Sequence, residues 1–360
     1  MATLSHYLVH NQRVWDDISF SSRTEVDVSE VWQHQIQHDV RISHRYRRLQ
    51  KTDLTTWLHG RKLSSAAAKI DSDQLLLRLI WIPLQVQQKT LDVAQSIYKQ
   101  AFTSSNHELS EGYCKTIPAG IGELHDNQRS NKTQSFFSLH PKIFMTWSTC
   151  RRTGGLIVIC VAEEKKLPIF LDLLEQPFIH KIVSHASSPA LIVAILLSSE
   201  VERTQDDIKR QVREVEVRTG HHNWKSRSER AALGDLTSLS AKMSGLSTRC
   251  GSCLRKQHIL VEVLDFVSGQ LLNPNSTEPA TEGPQSAYSA ALDMVDMLRK
   301  RASVQKTDNM FIQRRVDTQL EAVSTIKVSS FQSRGKADNI SAASSPRGPE
   351  RCIFGPADGF

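Results

Sequence analysis

Eleven positions between 236 and 271 follow one another at spacings of three and four without a break: Leu236, Leu239, Met243, Leu246, Cys250, Cys253, Gln257, Leu260, Leu264, Val267 and Leu271. On an α-helix such positions share one face, whereas a strand repeats its faces every second residue. The pattern therefore predicts one long helix, with Asp235 as its N-cap. Ten of the eleven side chains are apolar or small, so the seam must be buried against a partner helix, in this chain or in another copy.

The segments on either side are also helical. Leu197, Val201, Ile208, Val212 and Val215 fall at helical spacings after Pro189, and Asp206 with Arg210 and Glu214 with Arg218 make favourable i,i+4 pairs. Gly220 is a natural C′ stop, followed by an exposed loop over 221–233. Residues 186–272 are thus expected to form a long helical hairpin. A linker over 273–286, marked by Pro274, Pro279, Gly283 and Pro284, leads to a stalk-like helix over 287–323. That helix uses Leu292, Val295, Leu298, Ala302, Ile312, Val316 and Val323, and Gln305 and Asn309 weaken its middle. Residues 324–360 lack periodicity and are expected to form a disordered tail, in keeping with a mean hydropathy of -0.35.

Residues 1–185 read as a mixed α/β domain, giving an α+β chain overall. The apolar run from Leu75 to Leu84, closed by Pro83, predicts a buried strand. Thr90 is the expected N-cap of a helix carrying Leu91, Ala94, Ile97, Tyr98 and Phe102 on one face. Residues 103–135, with Gly112, Pro118, Gly120 and Gly122, are expected to form a long loop. Strands over 144–147 and 156–161 flank a hairpin turn at Gly154 and Gly155, and 165–175 reads as a helix ended by Pro177.

A membrane-spanning helix needs about 20 apolar residues, and the best run, from Ala190 to Leu197, ends at Ser198, Ser199 and Glu200. The N-terminus lacks the basic and apolar stretches of an export signal. Six irregularly spaced cysteines, Cys114, Cys150, Cys160, Cys250, Cys253 and Cys352, read as reduced thiols. These features predict a cytoplasmic chain as given. The net charge of +7 mildly favours anionic partners. The basic stretch 41–51, with His44, Arg45, Tyr46, Arg47 and Arg48, reads as a solvated face, and a nucleic-acid or anionic-surface binder is the alternative function. It has no interleaved aromatics for base stacking.

Cys250 and Cys253 form a C-x-x-C downstream of His221 and His222, a spacing that raises the question of zinc. Both cysteines occupy seam positions, however, where a small apolar thiol packs well, and core packing is the favoured reading. His140-Pro141-Lys142 reads as a proline-fixed start to the following strand, and His221 and His222 as solvated. No phosphate-loop, dinucleotide, nucleophile-elbow or zinc-protease signature occurs. No catalytic or cofactor-binding residue is therefore nominated, metal ligands are unknown, and the chain is not read as an enzyme or as a binder of a small-molecule substrate.

Several segments in order resemble the cytosolic region of fungal CorA-like transporter proteins, relatives of the CorA magnesium channels. They are LLRLIWIP at 76–83 followed by Thr90-Leu91-Asp92-Val93, then His140-Pro141-Lys142 with Thr146-Trp147. VREVEVRTG at 212–220, DLTSLSAKMSGL at 235–246 and Arg315-Val316-Asp317-Thr318-Gln319-Leu320 complete the set. The resemblance implies an N-terminal α/β domain, long helices, the last a stalk leading to two membrane spans, and a Gly-Met-Asn signature between those spans. It further implies homo-oligomerisation through helices and a divalent cation, Mg2+, as partner. The sequence departs from the family after Leu320, where a Ser-rich tail replaces the spans. The expectation is a regulatory and oligomerisation module lacking the pore, either a soluble relative or a truncated reading frame, with membrane contact only in an intact form that has the spans.

Overall fold

The computed structural model describes residues 18–36, 39–59, 73–105, 107, 119–126, 132–139, 142–149, 155–219, 233–272 and 284–343. These form nine strands and seven α-helices in an α+β arrangement, with the sheet first and the long helices last. The strands are β1 (Ser19–Phe20), β2 (Glu25–Ile36), β3 (Asp39–Gln50), β4 (Gln74–Gln85), β5 (Thr90–Leu91), β6 (Ala119–Asp126), β7 (Lys132–Leu139), β8 (Ile143–Thr149) and β9 (Leu156–Ala162). The helices are α1 (Lys51–His59), α2 (Gln95–Ser105), α3 (Leu167–Leu174), α4 (Pro177–His180), α5 (Ser188–Thr219), α6 (Leu233–Leu272) and α7 (Pro284–Ala343). The chain divides into two compact units, Met1–Glu202 with Arg255–Lys306, and Arg203–Leu254 with Thr307–Phe360.

In the first unit, β4 and β9 run parallel at the centre of the sheet, and the strands outside them pair antiparallel except for the short parallel pair β1 and β5. Both faces of β4 and β9 are covered, which is why their sequences read as continuous apolar runs. Leu77, Leu79, Trp81, Val158 and Cys160 face a core with α3, α4 and the first-unit parts of α5, α6 and α7. Ile80, Ile82, Ile157, Ile159 and Val161 face a second core with α1 and α2. A Cβ on Gly155 would lie 2.5 Å from the Leu75 carbonyl oxygen, so this glycine is required where β9 starts beside β4. Gly154 lies outside the described residues.

The second unit is helical. Ile208, Val212 and Val215 of α5, Leu236, Leu239, Met243, Leu246 and Cys250 of α6, and Ile312, Val316 and Val323 of α7 form its core. All eleven seam positions of α6 are buried, the last four apolar ones in the first unit's core. Each fully buried Leu contributes about 2 kcal/mol of transfer free energy.

Several expectations need correction. Strand β4 runs two residues past Pro83, because there it exchanges partners for β5 and the Pro83 carbonyl accepts from the Asp92 N–H at 2.8 Å. Thr90 is not an N-cap: it sits in β5, and α2 begins at Gln95. The expected loop 103–135 contains β6 and the start of β7. Asp235 is not the N-cap but lies in the first turn of α6, where its negative charge is favoured by the positive end of the helix dipole. Arg210 pairs with Asp207 and not with Asp206, while Glu214 and Arg218 reach across to Lys242 and Asp235 at 2.7 and 3.0 Å. Helix α7 starts inside the expected linker, with Pro284 in the first turn where its missing N–H is not needed. It also continues through 324–343, the first part of the expected tail. No proline interrupts before Pro346, and Ile326 packs against the core of the second unit. Gly220, the loop 221–232 and residues 344–360 lie outside the described residues.

Candidate functional site

The basic stretch 41–51 falls on β3 and the first residue of α1, and the register of β2 between β3 and β4 decides what its charges do. Asp27 stands opposite Arg48, and Glu30 stands opposite Arg45 on one side and Arg78 on the other. Buried Asp27 accepts from Arg48 Nε at 3.0 Å, from Arg23 Nη2 at 2.8 Å and from the Tyr46 hydroxyl. Burial and the neighbouring Asp27 raise the Tyr46 pKa, so its hydroxyl stays a donor. Glu30 accepts from Arg78 Nε and Arg47 Nη2, both at 3.1 Å. Arg78 also donates to the Leu58 carbonyl at 2.8 Å and lies 5.2 Å from the Trp57 ring centroid. Arg47 and Arg48 are thus engaged by buried carboxylates of the neighbouring strand.

Two hydroxyl–imidazole–carboxylate rows cross the same strands. His34 bonds Asp73 Oδ1 through Nδ1 at 2.8 Å and Ser43 Oγ through Nε2 at 2.6 Å. His44 bonds the Ser29 hydroxyl and lies 3.4 Å from Glu175 Oε1. The order of groups is that of an acyl-transfer triad, yet acyl transfer also needs two donors converging on an oxyanion. Successive N–H groups of an extended strand point to opposite edges, so they do not converge beside Ser43. The rows act as cross-strand ties.

Cys250 and Cys253 are fully buried in the α6 seam. Burial, with the adjacent Cys253, pushes the Cys250 thiol up to about 11, which disfavours the thiolate a zinc ion needs. Burial likewise raises the Cys160 thiol. Among the described residues no three His, Cys, Asp or Glu side chains gather in a metal-binding group. His140, Pro141, His221, His222 and Cys114, Cys150 and Cys352 lie outside the described residues, whereas Lys142 pairs with Glu200 at 3.7 Å.

Helix α7 carries the feature that the sequence reading missed. Its buried face runs through Ala291, Val295, Leu298, Ala302, Gln305, Asn309, Ile312, Val316, Gln319 and Val323. Gln305 donates to the Ser198 carbonyl at 2.9 Å, and Gln319 accepts from the Thr219 hydroxyl at 2.8 Å, so polar seam residues tie neighbouring helices. Outside this face, Met297 and Val304 in the first unit and Phe311 in the second are 54%, 64% and 58% exposed. They stand seven residues apart, and the signal was available as Met-x6-Val-x6-Phe. Among the described residues no helix is long and apolar enough to cross a membrane. Neither protein-family models nor curated proteins match the chain.

Proposed function

We propose that this chain is a non-catalytic regulatory and oligomerisation module of the CorA-like kind, which self-associates through the outer face of α7. The observation that carries this reading is the exposure of Met297 and Val304, seven residues apart on the part of α7 that belongs to the first unit. Residues seven apart lie on one face of a helix, and a second copy laid against that face takes its apolar side chains out of water. Support also comes from the order of elements, a mixed sheet, two long helices and a final longer one, which is the order the CorA resemblance implies.

On this reading the helices carry a signal, the sheet domain supplies its bulk, and a divalent cation such as Mg2+ acts at carboxylates in the cytoplasm. The anionic-surface alternative draws less support, since Arg47 and Arg48 already serve Glu30 and Asp27. Sedimentation velocity of the Met297→Asp, Val304→Asp double variant tests the assembly. A concentration-dependent oligomer that becomes a folded monomer fits the proposal, and an unchanged oligomer removes it.

A further inference from the structure

Four segments of the first unit bring charged side chains to one place. Glu200 projects from α5, Lys256 from α6, Lys142 from the turn before β8, and Lys166 from the short 3-10 turn Glu164–Lys166. Lys256 Nζ lies 2.8 Å and Lys142 Nζ 3.7 Å from Glu200 Oε1, and Lys166 Nζ lies 3.4 Å from Oε2. A neighbouring carboxylate, Glu163, is 3.0 Å from the Nζ of Lys165 and so has a cation of its own.

Three ammonium groups on one carboxylate leave a formal excess of two positive charges, from three lysines less one glutamate. Lys166 and Lys256 are largely shielded from water, at 15% and 11% exposure, so water screens this excess poorly. Lys142, 43% exposed, leaves the cluster open on one side. The imbalance is felt by the groups themselves. Burial, together with Lys256 and Lys166, holds the Lys142 ammonium below the usual lysine pKa. Against the opposing push of burial, the lysines hold Glu200 down to about 2.

We propose that Lys142, Lys166 and Lys256 form a binding site for a phosphate group, with Glu200 holding the lysines together. A phosphate monoester carries about two negative charges near neutral pH and so matches the excess. Lysines suit it as movable point charges, each with three donors for phosphate oxygens. Inorganic phosphate and the phosphate chain of a nucleotide share this chemistry. The site is independent of the self-association reading, because none of its residues lies on α7.

Isothermal titration of the full chain with inorganic phosphate and, separately, with ATP, each at constant ionic strength set with chloride, tests the assignment. Saturable one-to-one binding of either is expected; binding of both points to the phosphate group alone, and binding of ATP only to a nucleotide. Lys142→Met should weaken the affinity about tenfold, and Lys142→Arg should restore most of it. Circular dichroism confirms that each variant folds. No saturable binding of either anion, or an affinity unmoved in a folded Lys142→Met variant, overturns the proposal.

Discussion

Replacing Glu30 by Ala removes the acceptor between two arginines of different exposure, and the size of the effect follows from that difference. Arg47 is partly exposed and can turn into water, so its loss of partner costs little. Arg78 is buried, so the loss of Glu30 takes a carboxylate from a guanidinium that water does not reach, while the Leu58 carbonyl and the Trp57 face stay beside it. Breaking a buried pair in this way costs about 3–5 kcal/mol. Since Arg78 retains a hydrogen bond and a ring contact, about 3 kcal/mol is expected, a large part of the roughly 5–15 kcal/mol that holds a domain together. Urea unfolding followed by tryptophan fluorescence should show a lower midpoint with an unchanged slope. The double change Glu30→Leu, Arg78→Met should recover most of the loss, because it removes both charges and keeps the volume filled. A loss below about 1 kcal/mol for Glu30→Ala, or a double variant weaker than the single, would refute the claim that this pair holds the sheet.

Two further outcomes follow from the first unit. Glu200 titrates near 2 in the folded chain against 4.5 as its ordinary value, so its ion pairs stabilise the fold above about pH 4.5 and fade as the pH falls toward 2. Glu200→Gln should therefore flatten the loss of stability between pH 4.5 and 2 in acid titrations, and an unchanged slope counts against the cluster. Gln257 is buried in the α6 seam and neither its amide nitrogen nor its amide oxygen has a hydrogen-bond partner among the described residues. Gln257→Leu should raise stability by about 1 kcal/mol, read as a higher thermal midpoint; a lower midpoint means that the amide does useful bonding.

The helical half was the more legible because its signal is local. Every seam residue from Leu236 to Leu271 is buried, including Gln257, whose polar amide alone would have argued otherwise. The central strands β4, β8 and β9 were visible as apolar runs, since both their faces meet a core. Strands β6 and β7 were hidden by their composition: Gln134, Ser135 and Ser138 are polar yet buried, because β7 is paired on both sides. Partnership across long separations was also invisible. Glu30 meets Arg78, 48 residues away, and Glu200 meets Lys142, Lys166 and Lys256 from three other segments, so no spacing rule could assemble either cluster. The start of α2 moved from Thr90 to Gln95 for the same reason, as Thr90 is claimed by β1 and β4.

The self-association reading predicts which residues of two copies meet. In a parallel, in-register pair of α7 helices, Val304 of one copy faces Val304 of the other, whereas Ser303 points away. Mild oxidation of a Val304→Cys variant should give a covalent dimer well above the background of the unaltered chain, and Ser303→Cys should not. Equal cross-linking at both positions, or none at Val304→Cys in a folded protein, contradicts assembly through this face.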